Sequence, residues 1–283
     1  MKALFCCFTT VAFLLATPGT TAAQEALSLM RQDQQRVPAT AYAPRTPTCQ
    51  GIAMISPGAG GSEDGYRYLG EVMASLGYLA VVMGHPESGR RALQEHVVRS
   101  GIRDGLAALI TEQAAYRGRF MDIAASRKWA QSRCDSSESL LVGHSMGAAT
   151  AMMEAGAHNK LGIRGTNAFS AYIALSPQGA GIIFPDDAWA DIRQPVLLLT
   201  GTQDDELGGA SWQTRTDAFR SMPAGCKWLG VMEGATHMNF AGRGMSRLTE
   251  IRTAQTIASF LDALHGGGCR LVRPIAGVEI DTK

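Results

Sequence analysis

A serine stands between two glycines at Gly143-His144-Ser145-Met146-Gly147, directly after the apolar run Ser139 to Gly143 and directly before small and apolar residues reaching to Gly156. A strand that turns at once into a helix leaves little room for Cβ atoms around the turn, which is why glycine recurs there, and the turn lifts the serine Oγ out over a sheet. The hydroxyl attacks a carbonyl only when a base takes its proton and a carboxylate holds that base. The string alone is weak in a chain with 32 glycines among 283 residues. Its weight comes from the strand before it, the helix after it and the partners downstream.

Those partners are expected in the order serine, acid, histidine, each after a later strand. The run Pro195 to Thr200 leads into Gly201-Thr202-Gln203-Asp204-Asp205-Glu206, so the acid is expected at Asp204, with Asp205 second, because spacing alone does not separate neighbours. Of the six histidines, only His237 and His265 follow this acid. His237 lies in a glycine-bearing loop after Lys227 to Met232 and is the expected base, whereas His265, beside Gly266, is placed to cap helix carbonyls.

Attack also builds negative charge on the carbonyl oxygen, which backbone N–H groups must meet. One expected donor is Met146, after the nucleophile. The other belongs to the loop Ser56-Pro57-Gly58-Ala59-Gly60-Gly61-Ser62, where Ala59 is favoured and Gly60 is the alternative. The same loop fails as a dinucleotide fingerprint, since Glu63 stands where the third glycine is needed, and no G-K-[ST] occurs anywhere.

Five further residues are candidates for the substrate pocket. His85 follows an apolar run at the same sheet edge, where it either touches substrate or shapes the Gly84-His85-Pro86 turn. Ile183, Phe184 and Trp189 fall in Ser176 to Arg193, the longest stretch without a clear element, and line an acyl pocket or pack in the core; Met238 adjoins the base. His144, inside the elbow, is expected to pack or hydrogen-bond beneath it.

The elements that must position these residues alternate along the chain. Continuous apolar runs at Gly51 to Ser56, Tyr78 to Met83, Ser139 to Gly143, Ala171 to Leu175, Pro195 to Thr200 and Lys227 to Met232 predict strands of a parallel sheet covered on both faces. Helices are predicted over Gly65 to Leu76, Ile102 to Ala130 with a break near Gly118, Met146 to Gly156, Ser211 to Met222 and Leu248 to Leu264. The class is therefore α/β, with one catalytic domain over 49–270, a polar lead-in over 24–48 that can pair at a sheet edge, and a tail over 271–283. With 26 Lys+Arg against 25 Asp+Glu, the charge leaves no basic surplus for a nucleic-acid partner.

Lys2, an apolar run from Ala3 to Ala16 and the small residues ending Thr21-Ala22-Ala23 follow the order of a secretory signal over residues 1–23. The run is shorter than the about 20 residues that span a bilayer. An exported protein, periplasmic or secreted, is expected. Outside this segment the cysteines are Cys49, Cys134, Cys226 and Cys269, an even number that suggests two disulfides, with three pairings open. No Cys or His spacing suits zinc, so no metal is expected.

The segment ISPGAGGSEDGYRYL (Ile55 to Leu69), then LGYLAVVMGHP (Leu76 to Pro86), then Gly-His-Ser-Met-Gly at 143–147, resembles the α/β-hydrolase superfamily. The nearest likeness is the dienelactone-hydrolase-like branch, similar to platelet-activating-factor acetylhydrolases and polyester hydrolases, and it covers Gly51 to Leu264. The resemblance implies a mostly parallel sheet with helices on both faces, a small or absent lid, a Ser145, Asp204, His237 triad, oxyanion donors at Ala59 and Met146, and no cofactor. Two departures bear on the substrate class: Pro57-Gly58 stands where many relatives carry His-Gly, and Gly84 where an acid commonly precedes His-Pro. The implied sheet places Cys49 and Cys134 ahead of neighbouring strands, so these two are expected to pair, leaving Cys226 to join Cys269.

The function expected is an exported serine hydrolase that cleaves carboxylic esters, small-molecule or polymeric, through an acyl-enzyme. An amidase, peptidase or thioesterase would use the same three residues, and a binding protein on the same fold is the alternative from another class. The oligomeric state is left open by the sequence.

Overall fold

The computed structural model describes residues 23–270 and 273–283. In chain order the elements are β1 (Gln24–Met30), β2 (Arg36–Tyr42), β3 (Gly51–Ser56), α1 (Arg67–Ser75), β4 (Tyr78–Met83), α2 (Arg90–Ile110), α3 (Gln113–Gln131), β5 (Ser139–His144), α4 (Met146–Glu154), β6 (Ala171–Leu175), β7 (Val196–Gln203), α5 (Asp217–Ser221), β8 (Lys227–Thr236), α6 (Arg247–His265) and β9 (Val278–Thr282). Among the described residues they build one nine-stranded sheet in the order β1-β2-β4-β3-β5-β6-β7-β8-β9. The strands from β4 across to β8 run parallel, while β1, β2 and β9 pair antiparallel at the two edges.

The four central runs, now β3, β4, β5 and β6, are buried along their whole length, as two-sided cover demands, and β7 and β8 are buried over most of the predicted stretches. Successive side chains go to opposite faces. Ile52 and Met54 join one core with Tyr116, Ile123 and Met152 from α3 and α4. Ala53 and Ile55 join the other, with Leu69 and Met73 of α1 and Ile257 and Phe260 of α6. Each large apolar side chain so buried contributes about 1.5 to 3 kcal/mol.

Several expected boundaries differ. The helical stretch 102–130 is two helices, and they part at Thr111 and Glu112 rather than near Gly118. Gly118 lies inside α3, where a Cβ would press on the Glu87 carboxylate. Helix α2 begins earlier than expected, at Arg90, and is kinked at Gly101, whose φ of 82° is outside helical geometry. The stretch 211–222 is a 3-10 turn (Trp212–Thr216) followed by the short α5. The lead-in holds the β1–β2 hairpin, and the tail adds β9 to β8, so both ends of the described chain extend the sheet of the 49–270 domain instead of flanking it. The expected leader falls on residues 1–22, outside the described residues, except for Ala23.

Two disulfides tie the sheet. Cys49, ahead of β3, joins Cys134, ahead of the adjacent β5, with Cα atoms 5.7 Å apart; Cys226, ahead of β8, joins Cys269 beyond α6, at 5.5 Å.

Candidate active site

Five neighbouring parallel strands, β3, β5, β6, β7 and β8, each deliver one segment to the same edge: the Ser56–Gly61 loop, Ser145, Ser176, Asp204 and His237. Loops beyond the carboxyl ends of parallel strands are where such sheets gather functional groups. Ser145 is held at φ 54°, ψ −119°, and its N–H donates to the Leu175 carbonyl at 3.0 Å. The flanking glycines are required by contact: a Cβ on Gly143 would collide with the Gly147 carbonyl oxygen, and one on Gly147 with the Ser56 carbonyl oxygen. Ser176 shares the unusual backbone, with φ 51°. Such conformations cost on the order of 1 to 3 kcal/mol each and cluster where function holds them.

Ser145 Oγ lies 3.0 Å from His237 Nε2. The other imidazole nitrogen, Nδ1, is 3.1 Å from Asp204 Oδ1 and 2.6 Å from Ser176 Oγ. Asp204 is fully buried and accepts hydrogen bonds from Ser176 Oγ at 2.9 Å and Thr200 Oγ1 at 3.0 Å. Because the Ser176 hydrogen goes to the carboxylate, its oxygen accepts from Nδ1–H, leaving Nε2 to accept from Ser145. Asp205 turns away: it accepts from the Trp212 N–H and borders the cavity described below. His265 is remote and pairs with Glu138 at 2.9 Å.

A buried cation stands behind the acid. Arg215 Nε is 3.0 Å from Asp204 Oδ1. Its Nη1 donates to the Ser176 and Pro177 carbonyls at 3.2 and 3.0 Å, and its Nη2 donates to the Asp205 carbonyl at 3.1 Å. Nη2 also comes within 3.4 Å of His237 Nδ1. The guanidinium thus clamps the acid loop to the loop after β6. Neither Ser176 nor Arg215 stands out in the sequence, since each is brought to the site only by strand order.

The loop after β3 shows which amides are free. Gly60 N–H donates to the Ser88 carbonyl at 2.8 Å, which removes Gly60 as an oxyanion donor. Gly58 N–H donates to Tyr66 Oη at 3.0 Å. Neither Ala59 N–H nor Met146 N–H has an acceptor among the described residues.

Two histidines lie beneath. His144 Nε2 sits 3.0 Å from the His237 carbonyl oxygen, which can only accept, so this nitrogen carries the proton and Nδ1 accepts from the Tyr66 hydroxyl at 2.8 Å. Burial, followed by the nearby His237, holds His144 well below the usual histidine range. His85 was a candidate to touch substrate, and the structure places it elsewhere: it is buried under the loop, with Nδ1 2.8 Å from Asp122 Oδ2 and Nε2 2.9 Å from Ser56 Oγ. Burial, then the Arg119 cation, pushes its pKa down to about 4.

Beside Ser145 and His237 opens a cavity of about 270 Å³, whose apolar wall is Leu106, Ile110, Ile182, Ile183 and Leu207. Ile183 lines this cavity. Phe184 and Trp189 do not; both are fully buried and pack on each other at 5.1 Å between centroids, one layer behind. Met238 is 45% exposed and outside the lining. Leu106 and Ile110 come from α2, where no sequence pattern marked them for the pocket.

Among the described residues no group of three or more His, Cys, Asp or Glu is arranged to hold a metal ion, and no helix is long and apolar enough to cross a membrane.

No protein-family model and no curated protein sequence matches the chain. Solved structures do. A Klebsiella pneumoniae protein assigned as a dienelactone hydrolase superposes with a TM-score of 0.56 at 19% identity, over 83% of this chain and 97% of its own. A Thermoplasma acidophilum protein assigned as a CIB-like hydrolase gives 0.53 at 15%, over 83% and 98%. With its mostly parallel sheet and helices on both faces, the chain has the α/β-hydrolase fold.

Proposed function

We propose that this chain is an exported serine hydrolase of carboxylic esters, with Ser145 as nucleophile, His237 as general base and acid, and Asp204 as the group that orients the imidazole. The reading is carried by one arrangement: Ser145 Oγ at 3.0 Å from His237 Nε2, with the buried Asp204 carboxylate 3.1 Å from Nδ1. His237 takes the Ser145 proton as Oγ bonds to the acyl carbon, and the tetrahedral oxyanion is met by the Ala59 and Met146 N–H groups. Collapse expels the alcohol, protonated by His237, and water then cleaves the acyl-enzyme by the same steps in reverse order.

The substrate class rests on the cavity and the leaving group. An apolar wall of five aliphatic side chains suits an acyl chain. An alkoxide departs with less help than an amide nitrogen, which must be protonated as it leaves. Similarity in fold to a protein assigned to a lactone, itself an ester, agrees with this. Export is supported by the two disulfides, which belong in an oxidising compartment.

Ser145→Ala is expected to lose about 10³-fold or more of its turnover of a short-chain p-nitrophenyl ester while staying folded, and a fluorophosphonate is expected to label Ser145 in the unmodified chain. Unchanged turnover in the variant refutes the nucleophile. Absence of labelling points to a binding protein, and faster turnover of a matched amide or thioester moves the substrate class.

A further inference from the structure

We infer that Tyr66 and Arg119 are positioning residues for the oxyanion site, holding the Ser56–Gly61 loop from behind so that Ala59 N–H is the amide left facing outward beside Ser145. The inference rests on the reading of Ser145 as nucleophile.

Arg119 projects from α3 with no exposed surface. Its Nη1 donates to the Pro57 carbonyl at 2.7 Å and Ser56 Oγ at 3.2 Å, its Nη2 approaches the Gly58 carbonyl at 3.4 Å, and its Nε donates to Ser88 Oγ at 2.9 Å. All four partners are neutral. Burial brings the guanidinium pKa down to about 10, so it remains a cation at neutral pH. The carboxylates of Asp122 and Glu87 act on it only through space, and a buried charge whose hydrogen bonds all go to neutral oxygens is a costly way to stabilise a core.

The geometry follows from the peptide bond. In the planar trans unit the C=O and the following N–H point in opposite directions, and the chain contains no cis peptide among the described residues. With the Gly58 carbonyl turned towards Arg119 and accepting from Gly61 N–H at 3.0 Å, the Ala59 N–H is turned away from the core. The neighbouring amides are all engaged: Gly58 by Tyr66, Gly60 by Ser88, Gly61 by Gly58. The loop lies against the nucleophile, since a Cβ on Gly58 would sit 3.3 Å from Ser145 Cβ.

Tyr66 links this loop to the base. Burial raises its phenol to about 12, so the hydroxyl keeps its proton and gives it to His144 Nδ1 while accepting from Gly58 N–H. His144 in turn donates to the His237 carbonyl. One directional line of hydrogen bonds therefore spans the oxyanion loop, the elbow and the base loop, and fixes how far the N–H donor sits from the imidazole. Displacements near 1 Å in such groups change rates by about 10²-fold.

Tyr66→Phe deletes the hydroxyl and keeps the ring. The expected result is a kcat for a p-nitrophenyl ester lowered about 10- to 100-fold, KM within about twofold, and affinity for a boronic acid, whose tetrahedral adduct carries an oxygen in the oxyanion position, lowered in parallel with kcat. Arg119→Lys, which keeps the cation and loses the fork, is expected to behave alike; should it not fold, Tyr66→Phe decides alone. A folded Tyr66→Phe variant with kcat and boronate affinity within about twofold of the unmodified chain, or with its whole loss in KM, overturns the inference. Failure of a fluorophosphonate to label the unmodified chain overturns the reading of Ser145, and this inference with it. Labelling together with an unaffected Tyr66→Phe variant overturns this inference alone.

Discussion

Ser176 Oγ lies 2.6 Å from His237 Nδ1, nearer than the Asp204 carboxylate oxygen at 3.1 Å, and passes its own hydrogen to that carboxylate. The imidazole proton thus faces both a hydroxyl and a carboxylate, and the hydroxyl bridges the two. Ser176→Ala leaves Asp204 to orient the ring by itself across the longer distance. The expected outcome is a kcat for ester hydrolysis lowered by about tenfold, a neutral hydrogen bond being worth about 1 kcal/mol and one to a charged group about 1.5 to 3. Steady-state kinetics on the folded variant check it, and a kcat equal to that of the unmodified chain would show that the hydroxyl only fills space.

Acid should destabilise the fold through its buried histidines. His85 has its pKa lowered from 6.5 to about 4, first by burial and second by the Arg119 cation, so the unfolded chain binds its proton more readily than the folded one. Stability from this residue is complete above about pH 6.5, declines as the pH falls towards 4, and amounts to a loss of order 3 kcal/mol below that. His144, lowered in the same direction, adds to the slope. Melting temperatures measured from pH 7.5 to 4.5 are expected to fall less in His85→Gln, whose amide can still meet Asp122 or Ser56, than in the unmodified chain. Parallel curves would show that His85 does not carry the slope.

Acyl length should be read by the cavity beside Ser145, which has a volume of about 270 Å³. Each methylene it buries is worth about 0.8 kcal/mol, or about fourfold in kcat/KM, until the space is full. Leu106→Trp, on the α2 side of the wall, takes up part of that space. A graded series of p-nitrophenyl esters is expected to reach its optimum at a shorter chain in the variant, with the acetate nearly unaffected. An unmoved optimum would place the acyl chain elsewhere.

Reduction should weaken the fold. Cys49–Cys134 closes 85 residues and Cys226–Cys269 closes 43, and loops of such length are stabilised by about 2 to 5 kcal/mol per bridge. Cys49→Ala with Cys134→Ala is expected to lower the melting temperature by about 5 to 15 °C, taking roughly 2 to 4 °C per kcal/mol for a domain of this size. Non-reducing peptide mapping tests the pairing itself, and a Cys49–Cys226 or Cys49–Cys269 peptide would contradict it.

The sequence by itself determined the α/β class, because short runs apolar throughout, such as Gly51 to Ser56 and Tyr78 to Met83, alternate with longer amphipathic stretches, as strands buried on both faces and the helices covering them require. It also pointed to Ser145 and His237 and narrowed the acid to Asp204 or its neighbour Asp205, since a tight strand-to-helix turn and the two later strand ends leave local marks in glycine spacing. It did not resolve β1, β2 or β9 as strands: β1 and β9 lie at the sheet edges, where polar residues face solvent, and β2, paired on both sides, alternates buried with less buried residues and carries Pro38. Arg119 left a faint trace, falling with Tyr116 and Ile123 on the buried face of α3, while Arg215 and Ser176 left none. Only the tertiary structure decided that Asp204 rather than Asp205 faces the imidazole, that Phe184 and Trp189 belong to the core, and that Tyr66 meets His144 across 78 positions. The reason is directional: neighbouring side chains diverge along the backbone, and groups far apart in the chain are brought together by strand order, which no local pattern encodes.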